Sequence, residues 1–330
     1  MSLHLTKLQK QLCNALQDGL PICSRPFARI AKEFDSDEET VLEQIQELKN
    51  AGLIRRFRAL INYNAFGKRS TLVTAHVPQE DLPDVSKAVN SLEGVSHNYL
   101  RNNFYNLWFT LQAPAAGQIE DTLSNLSEQF GIDFYSLPVK RFFKLDVRFD
   151  AVGAGVRDCP DLYIPKEQTH KSAPVVLNAN QKLILSKLQD DIVITAEPFS
   201  FLSGEGLGDE DVLRIIEELF ELGVIRRIAA VLKHSKLGFV ANVLFVSEVP
   251  RDRILEVGQK LACLGTVSHC YERKTFENWP YNLFAMMHDR SMDRIQQTVN
   301  EFVKAEGIDT YQLLPTTAEL KKQPVRHKFD

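Results

Sequence analysis

Val267–His288 reads VSHCYERKTFENWPYNLFAMMH, and Val95–Gln112 reads VSHNYLRNNFYNLWFTLQ. Both stretches carry Val-Ser-His-x-Tyr-x-Arg, then a polar turn, then Tyr-Asn-Leu. Successive side chains of a strand point to opposite faces, so each stretch predicts a hairpin of two short strands. His269, Tyr271 and Arg273 share one side of the first strand, as do Asn282, Phe284, Met286 and His288 of the second. Leu283, Ala285 and Met287 supply the apolar side. In the earlier copy His97, Tyr99 and Arg101 match, with Asn106 and Trp108 opposite Leu107, Phe109 and Leu111. Histidine, tyrosine and arginine fill a core poorly, because their polar groups need partners once buried. They suit a flat anionic ligand.

Outward from the hairpins the duplication continues. Gly52-Leu53-Ile54-Arg55-Arg56 returns as Gly223-Val224-Ile225-Arg226-Arg227, Phe66-Gly67 as Leu237-Gly238, and Gly131-Ile132-Asp133 as Gly307-Ile308-Asp309. Motifs repeated in one order over half the chain imply two similarly folded halves. In the first half, Leu5, Leu8, Leu12 and Leu16 recur at helical spacing. Pro26 starts a short helix through Phe34, and Asp35-Ser36-Asp37 opens a third that stops at Gly52. This is helix-turn-helix spacing followed by a wing-like strand. Next come a strand from Ser70, a helix over Glu80–Leu92, the hairpin, a helix over Gly117–Phe130 and a strand from Phe134: a ferredoxin-like βαββαβ order, whose sheet would carry helices on one face and leave the other free for a partner or ligand. The expected organisation is α+β, with two tandem repeats: helix-turn-helix 1–60, ferredoxin-like domain 61–149, a Gly- and Pro-rich linker 150–175, helix-turn-helix 176–231 and ferredoxin-like domain 232–330.

Composition limits the function classes. The chain has 330 residues, 44% of them hydrophobic, enough for two cores. A net charge of −4 gives no general attraction to nucleic acid or anionic membrane. Charge argues against DNA binding locally as well. The third helix sets Asp37, Glu38, Glu39, Glu43 and Glu47 against Lys49, and its later counterpart sets Asp209, Glu210, Asp211, Glu217, Glu218 and Glu221 against Arg214. A groove-reading helix must neutralise phosphates. Five cysteines without CxxC spacing suggest reduced thiols and no zinc site. With neither an apolar signal core nor a membrane-length apolar run, the expected location is the cytoplasm.

The halves differ where chemistry would sit. His234 aligns with Tyr63 and His288 with Gln112, and His269 has a histidine counterpart, His97. That equips the second half better for proton transfer near neutral pH. Each histidine also has an ordinary structural reading, the arginine pairs Arg55-Arg56 and Arg226-Arg227 read equally as solvated wing residues or carboxylate binders, and Trp108 and Trp279 read first as packing.

An acidic helix-turn-helix, then Gly-x-Ile-Arg-Arg, then VSH-x-Y-x-R and a Y-N-L-[FW] strand resembles the siroheme decarboxylase family, whose members share the architecture of Lrp/AsnC-type regulators. The resemblance covers nearly the whole chain outside the linker. Family members often occur as two different subunits, and this chain is similar to a fused form, an internal pseudo-dimer, with further homo-oligomer formation left open. The implied reaction is loss of carbon dioxide from the C12 and C18 acetates of siroheme, an iron tetrapyrrole, to give 12,18-didecarboxysiroheme for heme d1 or the alternative heme b route. It requires no separate cofactor, and the iron is the substrate's. On this resemblance His269 and His288 are the candidate proton donors and carboxylate-orienting groups, with Tyr271 assisting. Arg226, Arg227, Lys233 and Arg273 would bind carboxylates, and His234, Trp279 and Asn282 are further contact candidates. His97, Tyr99 and Arg101 would play a supporting part at the domain interface. Two other readings use the same residues: an Lrp/AsnC-type transcription regulator, and a non-catalytic tetrapyrrole carrier or sensor.

Overall fold

The computed structural model describes residues 3–145, 148–153, 166–167, 174–204, 206–323 and 325–329. The first half runs α1 (Lys7–Asp18), α2 (Pro26–Glu33), α3 (Glu38–Asn50), β1 (Ile54–Ile61), β2 (Arg69–Ala75), α4 (Leu82–Ser91), β3 (Val95–Arg101), β4 (Leu107–Ala113), α5 (Ala116–Phe130) and β5 (Phe134–Leu145). A two-residue strand, β6 (Lys166–Glu167), follows. The second half runs α6 (Ala179–Leu188), α7 (Asp209–Glu221), β7 (Ile225–Leu232), β8 (Ala241–Ser247), α8 (Ile254–Ala262), β9 (Val267–Arg273), β10 (Leu283–Asp289), α9 (Met292–Glu306) and β11 (Tyr311–Lys322). Each half is thus a winged helix-turn-helix followed by βαββαβ.

Local chemistry sets the helix ends. Thr6 and Gln9 form a reciprocal capping box on α1, Pro26 occupies the first turn of α2, and the Asp37 carboxylate accepts the Thr40 N–H at the start of α3. The turn after α3 needs a positive φ, met by Gly52 at 69°, and Gly223 repeats it at 65° after α7.

The halves do not stand side by side as independent units. Strands β1 and β7 pair antiparallel, Phe57 opposite Ala230, so the wings make one ribbon and both helix-turn-helix units share one apolar core. The ferredoxin-like sheets are joined more deeply. Strand β5 pairs with β2 from Phe134 to Pro138 and then with β9 from Val139 to Leu145. Strand β11 does the same, pairing with β8 up to Pro315 and with β3 from Thr316 to Lys322. A proline has no N–H to give a ladder, and in both strands the change of partner falls there. The result is a closed antiparallel barrel in the order β2-β4-β3-β11-β8-β10-β9-β5, with β5 returning to β2.

This closure corrects the expectation of a free sheet face. The two uncovered faces look at each other across the barrel, while α4 and α5 cover one outer face and α8 and α9 the other. One end of the interior is filled by Tyr105, Trp108, Leu137, Leu244, Val246, Trp279, Phe284 and Leu314. The other end meets the wing ribbon.

The segment read as a linker starts tied down. The Ala151 N–H donates to Asn14 on α1, and the Ala151 side chain is 8% exposed. The rest of that segment lies mostly outside the described residues.

Candidate functional site

Alternation along β3 and β9 turns both His-x-Tyr-x-Arg stripes into the barrel. The intervening Asn98 and Cys270 point outward, fully buried under the helices. Since Trp108, Phe284 and Met286 fill the plugged end, the histidines of the two stripes lie toward the wings, on the walls of one polar chamber.

Serine of the Val-Ser-His motif holds each histidine. Ser96 Oγ lies 2.8 Å from His97 Nδ1 and 2.8 Å from Thr110 Oγ1. Ser268 is fully buried, its hydroxyl donates to the Met286 carbonyl at 3.1 Å, and its Oγ lies 3.1 Å from His269 Nδ1. With its single proton committed to a carbonyl, that oxygen can only accept, so His269 carries hydrogen on Nδ1 and turns Nε2 to the chamber. Sequence reasoning passed over these serines; their place beside histidine in both copies was the available signal.

The arginines mark the seams. Arg101 donates to the Leu314 carbonyl at 2.8 Å and Arg273 to the Leu137 carbonyl at 2.7 Å, each spanning to the strand that crosses over from the other half. Arg273 lies 4.8 Å from the centre of the Tyr271 ring and 5.7 Å from that of Phe284, and Arg101 lies 5.6 Å from that of Tyr99. Both are nearly buried, at 6% and 9% exposure, and the Nε of each lacks a hydrogen-bond partner. Burial holds both guanidinium groups down at about 10.

His288 and His234 meet under a lid. Their rings are 5.3 Å apart, and Phe149, from beyond the end of β5, lies 5.3 Å from His234 and 5.4 Å from His288. His234 donates Nδ1–H to the Phe239 carbonyl at 2.9 Å, which turns its Nε2 away from that bond. Burial holds His288 well below the usual imidazole range, and the nearby His234, His269, Lys322 and Arg101 push it further down. His234 is lowered by burial and, less, by Lys322 and Arg55, against the opposing Phe239 bond and Glu319. His97 is held at about 4, mainly by burial and then by Lys322.

These neighbours revise the assignment of residues to halves. His288 feels Arg101 and His234 feels Arg55, both of the first half, and Glu319 and Lys322 of β11 lie opposite Tyr99 and His97 of β3. A solvent-open cleft of about 410 Å3, lined by Glu319–Gln323 and Asn90, runs along this seam. The set is therefore composite, and His97, Tyr99 and Arg101 are walls of the same chamber.

Other candidates fall elsewhere. Trp279 is 2% exposed and packs in the plug, tilted 5.4 Å from Trp108 and edge-on 5.6 Å from Tyr105. Asn282 is taken up by Val249, accepting its N–H at 2.9 Å and donating to its carbonyl at 2.7 Å, as Asn106 does with Val77. Arg226 is exposed and donates to Asn62 across the wing ribbon, Arg227 is half-buried, and Lys233 is exposed with its N–H on the Leu53 carbonyl. Two charges of the first wing strand reach this set: Arg58 acts on His97 and Tyr63, and Arg55 on Tyr99 and His234.

A model of the AsnC-like ligand binding domain matches residues 65–144 and 236–321, and a model of the siroheme decarboxylase NirDL-like HTH domain matches residues 9–55. The siroheme decarboxylase of Hydrogenobacter thermophilus is 33% identical over 320 residues, 96% of this chain and 94% of that protein. The siroheme decarboxylase alpha subunit of Desulfovibrio desulfuricans is 34% identical over 44% of this chain and 84% of its own length. A crystal structure of the siroheme decarboxylase NirDL in co-complex with an iron-uroporphyrin III analogue superposes with a TM-score of 0.73 at 30% identity, covering 98% of this chain and 95% of that one.

Proposed function

The chain belongs to the siroheme decarboxylase family, and on that premise we propose that its barrel chamber removes carbon dioxide from the C12 and C18 acetates of siroheme, yielding 12,18-didecarboxysiroheme for heme d1 or heme b synthesis. The carrying observation is the pair of nearly buried arginines, Arg101 and Arg273, each with an unsatisfied Nε at the inner end of a His-x-Tyr-x-Arg stripe. A buried cation calls for an anion, and the carboxylates around a tetrapyrrole supply it while the ring lies against apolar wall. No organic cofactor is part of this reading; the iron arrives with the substrate. Nor is DNA a partner in it, since the outward faces of α3 and α7 carry Glu39, Glu43 and Glu47 and Glu210, Glu217 and Glu221.

Cleaving the bond between the acetate methylene and its carboxylate releases carbon dioxide and leaves the electron pair on the methylene, delocalised into the macrocycle. One proton per acetate then completes the methyl group. His269 is the donor in this scheme, acting as the imidazolium: Ser268 accepts its Nδ1–H, and the proton on Nε2 passes to the methylene. His288, buried and neutral, orients the carboxylate together with His234, and Tyr271 assists through its hydroxyl. Arg101 and Arg273 hold carboxylates that do not react.

The test is anaerobic incubation of the purified chain with siroheme, followed by mass spectrometry of the extracted tetrapyrrole. Loss of two carbon dioxide masses is expected. Siroheme bound but returned unaltered would replace the reading with a carrier or sensor.

A further inference from the structure

The sequence Gln17-Asp18 is repeated as Gln189-Asp190, and Arg148-Phe149 as Arg326-His327. In the fold each pair clamps its counterpart. Gln17 exchanges hydrogen bonds with the Phe149 backbone at 2.9 and 2.8 Å while Arg148 meets Asp18 at 2.8 Å. Gln189 exchanges two with the His327 backbone, both 2.9 Å, while Arg326 grips Asp190 through two bonds of 2.8 and 2.9 Å. Each clamp delivers one ring to the opposite half. Phe149 covers His234 and His288, and the His327 ring lies 3.7 Å from that of Tyr63, the residue aligned with His234. A histidine absent from one element is thus supplied by another, and the first-half side of the chamber has its own turn-and-tail pair.

His327 is built to donate. Lys68 Nζ lies 2.7 Å from His327 Nδ1, and an ammonium has no lone pair, so Nδ1 accepts and the hydrogen is on Nε2. That Nε2 is buried with no partner, in a residue 7% exposed. A phenylalanine satisfies the equivalent place on the other side without leaving a polar atom stranded, so the imidazole is explained by an acceptor that arrives from outside. The Lys68 charge beside it and Arg58 near Tyr63 select an anion.

We propose that His327, braced by Lys68 and Tyr63, receives one carboxylate of the tetrapyrrole on the first-half side of the chamber. This rests on the reading of the chamber as a tetrapyrrole site. Nε2–H donates to a carboxylate oxygen and Lys68 supplies the neighbouring positive charge, a charge-assisted bond of the stronger kind.

The experiment is an anaerobic absorbance titration of the full chain with siroheme, using wild type, His327→Phe, His327→Gln and Lys68→Met, with thermal unfolding measured on each. His327→Phe is expected to weaken binding about 10- to 100-fold with an unchanged unfolding midpoint, since phenylalanine fills the equivalent position. The amide of His327→Gln is expected to restore most of the affinity, and Lys68→Met to weaken binding without adding to His327→Phe. Wild-type affinity in His327→Phe, or a loss that follows only a lowered midpoint, overturns the proposal. Mass spectrometry of the wild-type product separates the two readings. Decarboxylation with His327→Phe binding normally sinks the His327 assignment alone; unaltered siroheme bound in a His327-dependent way sinks the reaction and leaves the carboxylate contact standing.

Discussion

Replacing Arg273 by methionine separates a folding role from a binding role. The depression of its pKa from 12.5 to about 10 corresponds to about 3 kcal/mol against the charged form in the folded protein. The sign is clear: the unfolded chain holds the proton more tightly, so at every pH below about 10 the buried guanidinium subtracts that amount from stability. Methionine removes the burden and retains apolar volume, but strands the Leu137 carbonyl that Arg273 now serves, a loss of about 1–2 kcal/mol. The net expectation for the ligand-free protein is a gain of about 1 kcal/mol, or about 2 °C in the unfolding midpoint. Siroheme affinity should move the other way, falling about 10- to 100-fold with the lost charged hydrogen bond. Thermal unfolding with and without siroheme, beside an absorbance titration, reads both. A lowered midpoint with unchanged affinity would refute the reasoning and make Arg273 a structural pin of the β5–β9 seam.

His269→Ala and His288→Ala should each lower product formation at least about 100-fold, with a smaller loss for His97→Ala; equal losses in a single-turnover product assay would remove the asymmetry between the stripes. Ser268→Ala should lower the rate about 10- to 100-fold, by analogy with the partners that orient metal-bound histidines, while siroheme affinity changes little, and a normal rate would show that His269 needs no fixed tautomer. Because burial lowers His97 and His327 to about 4, and His234 and His288 as well, the unfolded chain takes up protons that the folded one refuses. Stability should therefore be full above about pH 6.5 and fall from there toward pH 4, with His327 contributing part of the loss. Urea unfolding across that range should show a slope that His327→Gln flattens, and an unflattened slope would place the acid sensitivity elsewhere.

The hairpins, the repeat, the helix starts at Pro26 and Asp37 and the shared side of the His-Tyr-Arg stripes were legible because they follow from local rules of alternation and capping. Barrel closure was not. It depends on β5 and β11 exchanging partners at Pro138 and Pro315, and nothing near those prolines names the strand that will be met. The same blindness divided the site by halves, so Arg101 was set apart from the His288 on which its charge acts, and His97 from the Lys322 opposite it. Trp279 and Asn282 were carried as contacts because they lie within the motif; an indole and an amide can serve folding as well as binding, and only their partners decide. His327 was missed because its counterpart is a phenylalanine, and an alignment of identities hides a substitution that changes function at a shared place.

The exchange of strands also has a consequence in time. When the ribosome has finished β5, the strand's far half has no partner, since β9 lies more than a hundred residues ahead. At typical synthesis rates that leaves an open sheet edge for roughly 5–30 s, and the near strand β3 waits longer still, because its partner is the last strand made. An unpaired edge invites other chains. The nascent protein therefore passes through an interval in which its first half is folded on the outside and unfinished within, and truncations anywhere between β5 and β11 should accumulate as aggregates rather than as a stable half.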